Sequence, residues 1–404
     1  MVRPMKWWHC CRMLALTLSL SLFLTGTTMA RADTYQAPIR ITFLNPGKHD
    51  EFFWPAVSAT MQAAASQFGF KLEILYAERD AQAIGRLGRA IIARAEPPDV
   101  LILVNEFQAG TRLLQEADAR GIKTFMLLNS FHGADAAKMG EPGQTYRHWI
   151  GSLVPDNHAA GQRMAKALAA CMRETASRGA DGKYHVLALL GDSTTPASIE
   201  RTAGFHAALA ALDDIVLDRE FNTNWQTPKG RDLTANFLTW AGENNLPTAG
   251  IWAANDALAL GAIEAAEAQH LQPGKDFCLV GLNWSPEALD LVRDGKMAMT
   301  DGGHFLAGGW AMLMVHDYLA GNADDATGQR AVTFQMAPID RGNVAQFFAK
   351  LGDRDWRRID FKRFTRDPET PIPDGVPQRD GDYDFSLRET LDHTRKLPAN
   401  WPAN

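Results

Sequence analysis

The sequence predicts an α/β protein built as two parallel-sheet units in series. Short β-rich runs alternate with longer helical patterns from residue 39 to 128, and the alternation starts afresh after Gly151-Ser152-Leu153. Two apolar runs then end on polar side chains at Asn255 and Asn283. Right-handed crossovers between parallel strands produce that alternation, and in an open sheet ligands sit in the crevice at the strands' carboxyl ends. A chain of 404 residues exceeds what one core usually serves, so two lobes are expected.

Residues 1–32 read as a signal peptide: Arg3, Lys6 and Arg12 are basic, residues 13–24 are apolar but too few to span a bilayer, and Ala30-Arg31-Ala32 suits cleavage. The expected location is therefore the periplasm. Strands follow at 39–44, 71–76, 100–104 and 123–128. The helix over 53–67 stops at Gly69 and that over 108–120 at Gly121, because glycine relieves the left-handed geometry beyond a last turn. Pro97-Pro98 closes the helix between them. The second unit places strands at 185–190, 215–219, 249–253, 277–282 and 297–300, with a polar loop at 175–183. Past Asp340, charged residues mix with prolines and with Trp356, Phe361, Phe364, Tyr383 and Phe385; this extension is expected to pack along one lobe rather than form a third core.

A net charge of −6 without basic clusters leaves no electrostatic footprint for nucleic acid. Cys10 and Cys11 precede the apolar run, so they are not placed as lipid acceptors, and Cys171 and Cys278 are expected to be buried free thiols rather than a disulfide. Phosphate-loop, nucleophile-elbow and zinc-helix motifs are absent, and the histidines lack metal-ligand spacing, so neither enzyme activity, a cofactor nor a metal is expected.

The candidate ligand contacts lie where strands end. After the first strand come His49, Asp50 and Glu51, whose polar atoms can meet hydroxyls, and Phe53 and Trp54, whose rings can stack on a sugar face or pack the helix. Arg201 opens a helix and carries a rigid fork of donors, which serves paired hydroxyls or a salt bridge to Glu200. Asn255 and Asp256 suit a helix cap, with one of the two left to face ligand. Trp225 stands in a polar loop, either as a second aromatic wall or as a lid on the core edge. Asp301-Gly302-Gly303-His304 ends a strand where glycines allow a close backbone approach or a crossing between lobes.

The run from Ala254-Asn255-Asp256 to Gly261-Ala262, Val280-Gly281-Leu282-Asn283 with Pro286, Asp294 to Thr300, Asp156-Asn157 with Gly161, and Glu200-Arg201 to Gly204-Phe205 together resemble the type I periplasmic sugar-binding proteins, the ribose and galactose receptors of ABC transporters. The resemblance runs from residue 39 to 335. It implies two Rossmann-like lobes joined by a three-segment hinge, a sugar-like ligand between them, hinge closure on binding, and a monomer that delivers to an ABC permease in the inner membrane. It implies an N-terminal lobe of 33–154 plus 303–328, a C-terminal lobe of 155–302 plus 329–345, and an extension of 346–404. By position, Phe53 and Trp54 resemble the stacking aromatics of the first lobe and Trp225 that of the second, while Arg201, Asn255 and Asn283 resemble the hydrogen-bonding set, with Asp256 beside it. Asn129-Ser130 stands where ribose receptors carry Asp-Arg, Asn283 where they carry Asp, and His304 near their Gln, which argues against ribose itself. The stretch from Pro46 to Trp54, with Asn129 and Arg201, is also similar to the autoinducer-2 receptor family, which implies a membrane sensor as the alternative partner.

Overall fold

A computed structural model describes residues 37–131, 133–322, 330–370 and 383–395; the expected signal peptide lies outside them. The first lobe runs β1 (Arg40–Asn45), α1 (Phe53–Phe68), β2 (Lys71–Tyr76), α2 (Ala81–Ile92) and β3 (Val100–Leu103). It continues with α3 (Gly110–Ala119), β4 (Lys123–Leu127), α4 (Gly133–Met139) and β5 (Trp149–Pro155). The second lobe comprises α5 (Asn157–Thr175), β6 (Tyr184–Leu190), α6 (Pro196–Leu209), β7 (Ile215–Asn222) and α7 (Thr227–Glu243). After these come β8 (Thr248–Ala253), α8 (Asp256–Ala268), β9 (Cys278–Leu282), α9 (Pro286–Arg293) and β10 (Met299–Gly302). The chain then returns through α10 (Ala307–Leu319) and β11 (Ala331–Phe334) to β12 (Ala337–Asp340), α11 (Val344–Leu351) and α12 (Leu387–Asp392).

Each lobe holds a six-stranded sheet, ordered β11-β5-β4-β3-β1-β2 in the first and β12-β10-β9-β8-β6-β7 in the second. All pairings are parallel except β10 with β12. Strands buried on both faces read as unbroken apolar runs, as in Val100-Leu101-Ile102-Leu103, rather than as alternation. Helices α2 and α5 begin where side chains satisfy free N–H groups: Asp80 accepts from Gln82 and Ala83, and Asp156 accepts from Ala159. Helix α1 ends at Gly69, whose φ of 72° is the left-handed conformation its position predicts.

The chain passes between lobes three times, after β5, after β10 and between β11 and β12. Strand β11 pairs with β5 of the first sheet, so residues 331–334 belong there and not, as expected, with the second lobe. Its alternating, half-exposed pattern suits an edge position, and only β12 crosses to pair with β10. Gly151-Ser152-Leu153 lies inside β5, the last strand of the first lobe before the chain crosses to the second. Cys171 of α5 and Cys278 of β9 form a disulfide, correcting the free-thiol expectation: α5 lies directly on β9, which brings their Cα atoms to 6.0 Å. The extension also departs from expectation, since it packs on both lobes: α11 lies on α9 of the second, while turns at Trp356–Arg358 and Phe361–Phe364 lie on α1 and α10 of the first. Among the described residues no helix is long and apolar enough to cross a membrane.

Candidate functional site

The carboxyl ends of both sheets face a cleft between the lobes. The first lobe contributes Phe53, Trp54, Arg79, Glu106, Leu128 and Asn129, and the second contributes Asn157, Thr195, Ala197, Arg201, Trp225, Asn255 and Asn283. Pro155 and His304 line it from two of the crossings. Four of these residues, Arg79, Leu128, Trp225 and Asn283, have positive φ values of 57°, 63°, 62° and 141°. Side chains other than glycine hold that conformation only where the surroundings impose it, and such positions gather at binding sites.

Arg201 is the buried cation of the cleft, 3% exposed. It reaches there because the polar turn at Asp192 to Thr195 ends β6 and Pro196 starts α6, placing residue 201 in the helix's second turn. Its Nη1 donates to the Ala254 carbonyl and its Nη2 to Asn157 Oδ1, both at 2.6 Å, while the buried Nε has no partner. The guanidinium stands 5.8 Å from the Trp225 ring centre. Burial lowers its pKa to about 10, with Asp301 and Asp256 acting the other way, so it stays charged at neutral pH. Trp225 in turn is pressed against Gly191, where a Cβ would stand 2.2 Å from its ring.

On the facing lobe Phe53 stacks on the His304 ring at 4.4 Å and meets Trp54 edge-on at 5.1 Å. Trp54 is buried against Gly47, where a Cβ would overlap the indole at 2.0 Å. His304 is buried, its Nδ1 has no partner, and burial beside Arg201 holds its pKa well below the ordinary value. It is therefore neutral at neutral pH. Glu106 accepts from Asn129 Nδ2 at 2.9 Å, and Asn129 Oδ1 accepts across the cleft from the Ala197 N–H at 3.2 Å. Burial raises the Glu106 carboxyl to about 7 against the opposing pull of Arg79, and Asp192 of the other lobe raises it further. Arg79 itself is paired with Glu51 at 2.8 Å.

The structure thus brings together Phe53, Trp54, Asn129, Arg201, Trp225, Asn255, Asn283 and His304 of the residues expected from sequence. Glu51 reaches the cleft only through Arg79. Asp50 does not line it: its loop side chain is exposed, and α1 begins too late to turn it inward. Asp256 is also set aside. It is buried behind the cleft, accepting from the Ser285 N–H and from Thr300 Oγ1, and so ties the β9 and β10 ends together. Asn255 combines the two roles proposed for the pair, since its Oδ1 caps α8 by accepting from the Leu258 N–H while the residue lines the cleft. Sequence reasoning missed Arg79, Glu106, Asn157 and Thr195. For Asn157 and Thr195 a signal existed, as both directly adjoin a helix start at a strand's carboxyl end; for Arg79 and Glu106 the fold must be known first.

Asp301, three residues before His304, accepts from Arg163 in hydrogen bonds of 2.8 and 3.0 Å. No group of three histidine, cysteine or acidic residues placed to hold a metal occurs among the described residues.

Residues 41–323 match the family model of the periplasmic binding protein domain. The chain is similar to a solved periplasmic sugar-binding protein from Pseudomonas fluorescens, with 32% identity, a TM-score of 0.75, and coverage of 87% of this chain and 99% of that one. It is 25% identical to the ribose import binding protein of Haemophilus influenzae, over 72% of this chain and 86% of the relative. It is 22% identical to the D-apiose import binding protein of Paraburkholderia graminis, over 68% and 79%.

Proposed function

The chain belongs to the periplasmic binding protein family, and we propose that it closes on a neutral, monosaccharide-sized sugar or sugar-like polyol and delivers it to an ABC permease. The observation that carries this reading is the pairing of flat aromatic walls with buried polar atoms that lack partners. Phe53 and Trp54 line one lobe and Trp225 the other, while Arg201 Nε and His304 Nδ1 are sealed from water without a hydrogen bond. An orphaned buried polar atom costs about 1–3 kcal/mol, a penalty that a hydroxyl-bearing guest removes. The C–H faces of a sugar ring pack on aromatic rings while its hydroxyls both donate and accept.

Charge favours a neutral guest. Arg79 is balanced by Glu51, Arg201 lies among Asp256 and Asp301, and Glu106 is close to half-protonated at neutral pH. The sugar-import names of the Haemophilus and Paraburkholderia relatives support the same ligand class. Both walls of the cleft come from a single chain, which supports action as a monomer, and the Cys171–Cys278 disulfide suits an oxidising compartment such as the periplasm.

The test is a thermal-shift screen of pentoses, hexoses, polyols and furanose-forming sugars, followed by calorimetry on the best ligand. A guest that binds only the folded state raises the melting temperature. Arg201→Ala should weaken binding by about 2 kcal/mol, roughly thirtyfold, because it removes charged hydrogen bonds in a desolvated site. Unchanged affinity in that variant, or no shift with any sugar, would refute the assignment.

A further inference from the structure

Two cleft residues are held from behind by the C-terminal extension. Asn283 is followed by Trp284, and His304 by Phe305; both following rings are buried and meet edge-on at 6.1 Å. Trp284 packs on Phe347 of α11 at 5.4 Å, and Phe305 packs on Trp356 at 4.9 Å. Trp284 Nε1 also donates to the Ala337 carbonyl at the crossing into β12. The extension is itself fastened to the first lobe. Gln67 of α1 makes paired bonds with the Ile359 carbonyl and the Phe361 N–H, and buried Asp317 of α10 accepts from Thr365 Oγ1, the Arg366 N–H and Tyr383 OH.

The geometry points to Phe347 and Trp356 as positioning residues of the ligand site: they clamp Trp284 and Phe305 and so fix where Asn283 and His304 present their polar atoms. Asn283 needs such support, since a φ of 141° is not a conformation its own side chain favours, and Trp284 follows at 55°. Packed neighbours are what hold a binding group in its productive geometry. The role assigned to Asn283 and His304 here rests on the sugar-binding reading; the clamp on their backbone does not.

The experiment therefore has two arms on the full chain. Hydrogen exchange without sugar reads the N–H groups of Asn283, Trp284 and Leu306, which donate to Asp301 O, Thr300 Oγ1 and Gly303 O respectively. Trp356→Ala and Phe347→Ala should each speed exchange there about tenfold, leaving residues 195–201 unchanged, and Trp356→Phe should restore the slow rate. Phe364→Ala is the comparison, equally buried in the extension but with ring partners Phe385 and His393; at a similar fall in melting temperature it should leave these amides protected. Phe347→Ala alone carries the test should Trp356→Ala not fold. Calorimetry with D-ribose, D-apiose, L-arabinose and D-galactose then reads affinity, which should weaken about tenfold in the two clamp variants and not in Phe364→Ala. Equal effects from Phe364→Ala, or unchanged exchange at the three amides, would overturn the clamp. If none of the four sugars binds the parent protein, the ligand assignment fails while the exchange arm still decides the clamp.

Discussion

Among the cleft residues, Glu106 has the most pH-sensitive environment. Its carboxyl is raised from 4.5 to about 7 chiefly by burial, so between those values the folded protein holds a proton that the unfolded chain has released. Stability contributed by this group is thus present at low pH and lost as pH rises toward and past 7, with a span on the order of 3 kcal/mol. Asp256, raised to about 6 by burial, acts with the same sign. His304 acts oppositely, because its depressed pKa makes the folded state lose stability as pH falls below the ordinary histidine value of 6.5. Glu106→Gln keeps an acceptor for Asn129 and removes one titration. Denaturant melts from pH 5 to 8 should show the variant gaining on the parent as pH rises, whereas parallel curves would mean that Glu106 ionises freely. This environment was not legible in the sequence. Glu106 follows β3 in a turn whose Phe107 has a φ of 49°, and only the facing lobe brings Asp192 close enough to matter. Arg201, by contrast, was legible as a residue near a helix start after a strand end, although the structure sets it in the second turn of α6 rather than at its opening.

At the level of elements, the contact between α5 and α6 sets where Arg201 can stand. The helices cross so closely that a Cβ on Gly161 would lie 2.0 Å from the Arg201 carbonyl, and one on Gly204 2.0 Å from the His158 carbonyl. These are backbone atoms, so no rotamer change relieves the overlap and the helices must part. Gly161→Ala should cost about 1–3 kcal/mol in stability and also weaken ligand binding, since moving α6 breaks the 2.6 Å bonds from Arg201 to Asn157 and Ala254. Melting curves and calorimetry check the two effects, and full affinity in a destabilised variant would show that α6 adjusts without moving Arg201. Central strands and helix ends were readable for a physical reason, since apolar runs and glycine caps are local signals. Edge strands β11 and β12 were not, because half-exposed four-residue segments carry little burial pattern and owe their existence to partners far along the chain. The disulfide was hidden likewise: 107 residues separate its cysteines, and only the docking of α5 on β9 makes them neighbours.

For the whole molecule, the two-lobe α/β plan could be read from the alternation of strands and helices, but the extension's hold on both lobes could not, because it depends on surfaces that exist only once the lobes have formed. Three crossings and the extension connect the two halves, and across the cleft the Ala197 N–H donates to Asn129 Oδ1. Such a contact exists only when the lobes are together, so it adds to the closed state and not to the open one. A ligand that touches both lobes shifts the hinge by the difference of its affinities for the two states. Losing one neutral hydrogen bond from the closed form should therefore cost about 1 kcal/mol, or roughly fivefold in apparent affinity. Small-angle scattering of the parent should show the radius of gyration falling as the best sugar of the screen is added. Asn129→Ala, which also removes the bond to Glu106 and a side chain that lines the cleft, should give the same compact endpoint, reached at no less than about fivefold higher sugar. A parent profile that ignores a sugar already shown by calorimetry to bind would mean that the guest enters a cleft whose walls do not move, and hinge closure would have to be abandoned as the source of affinity.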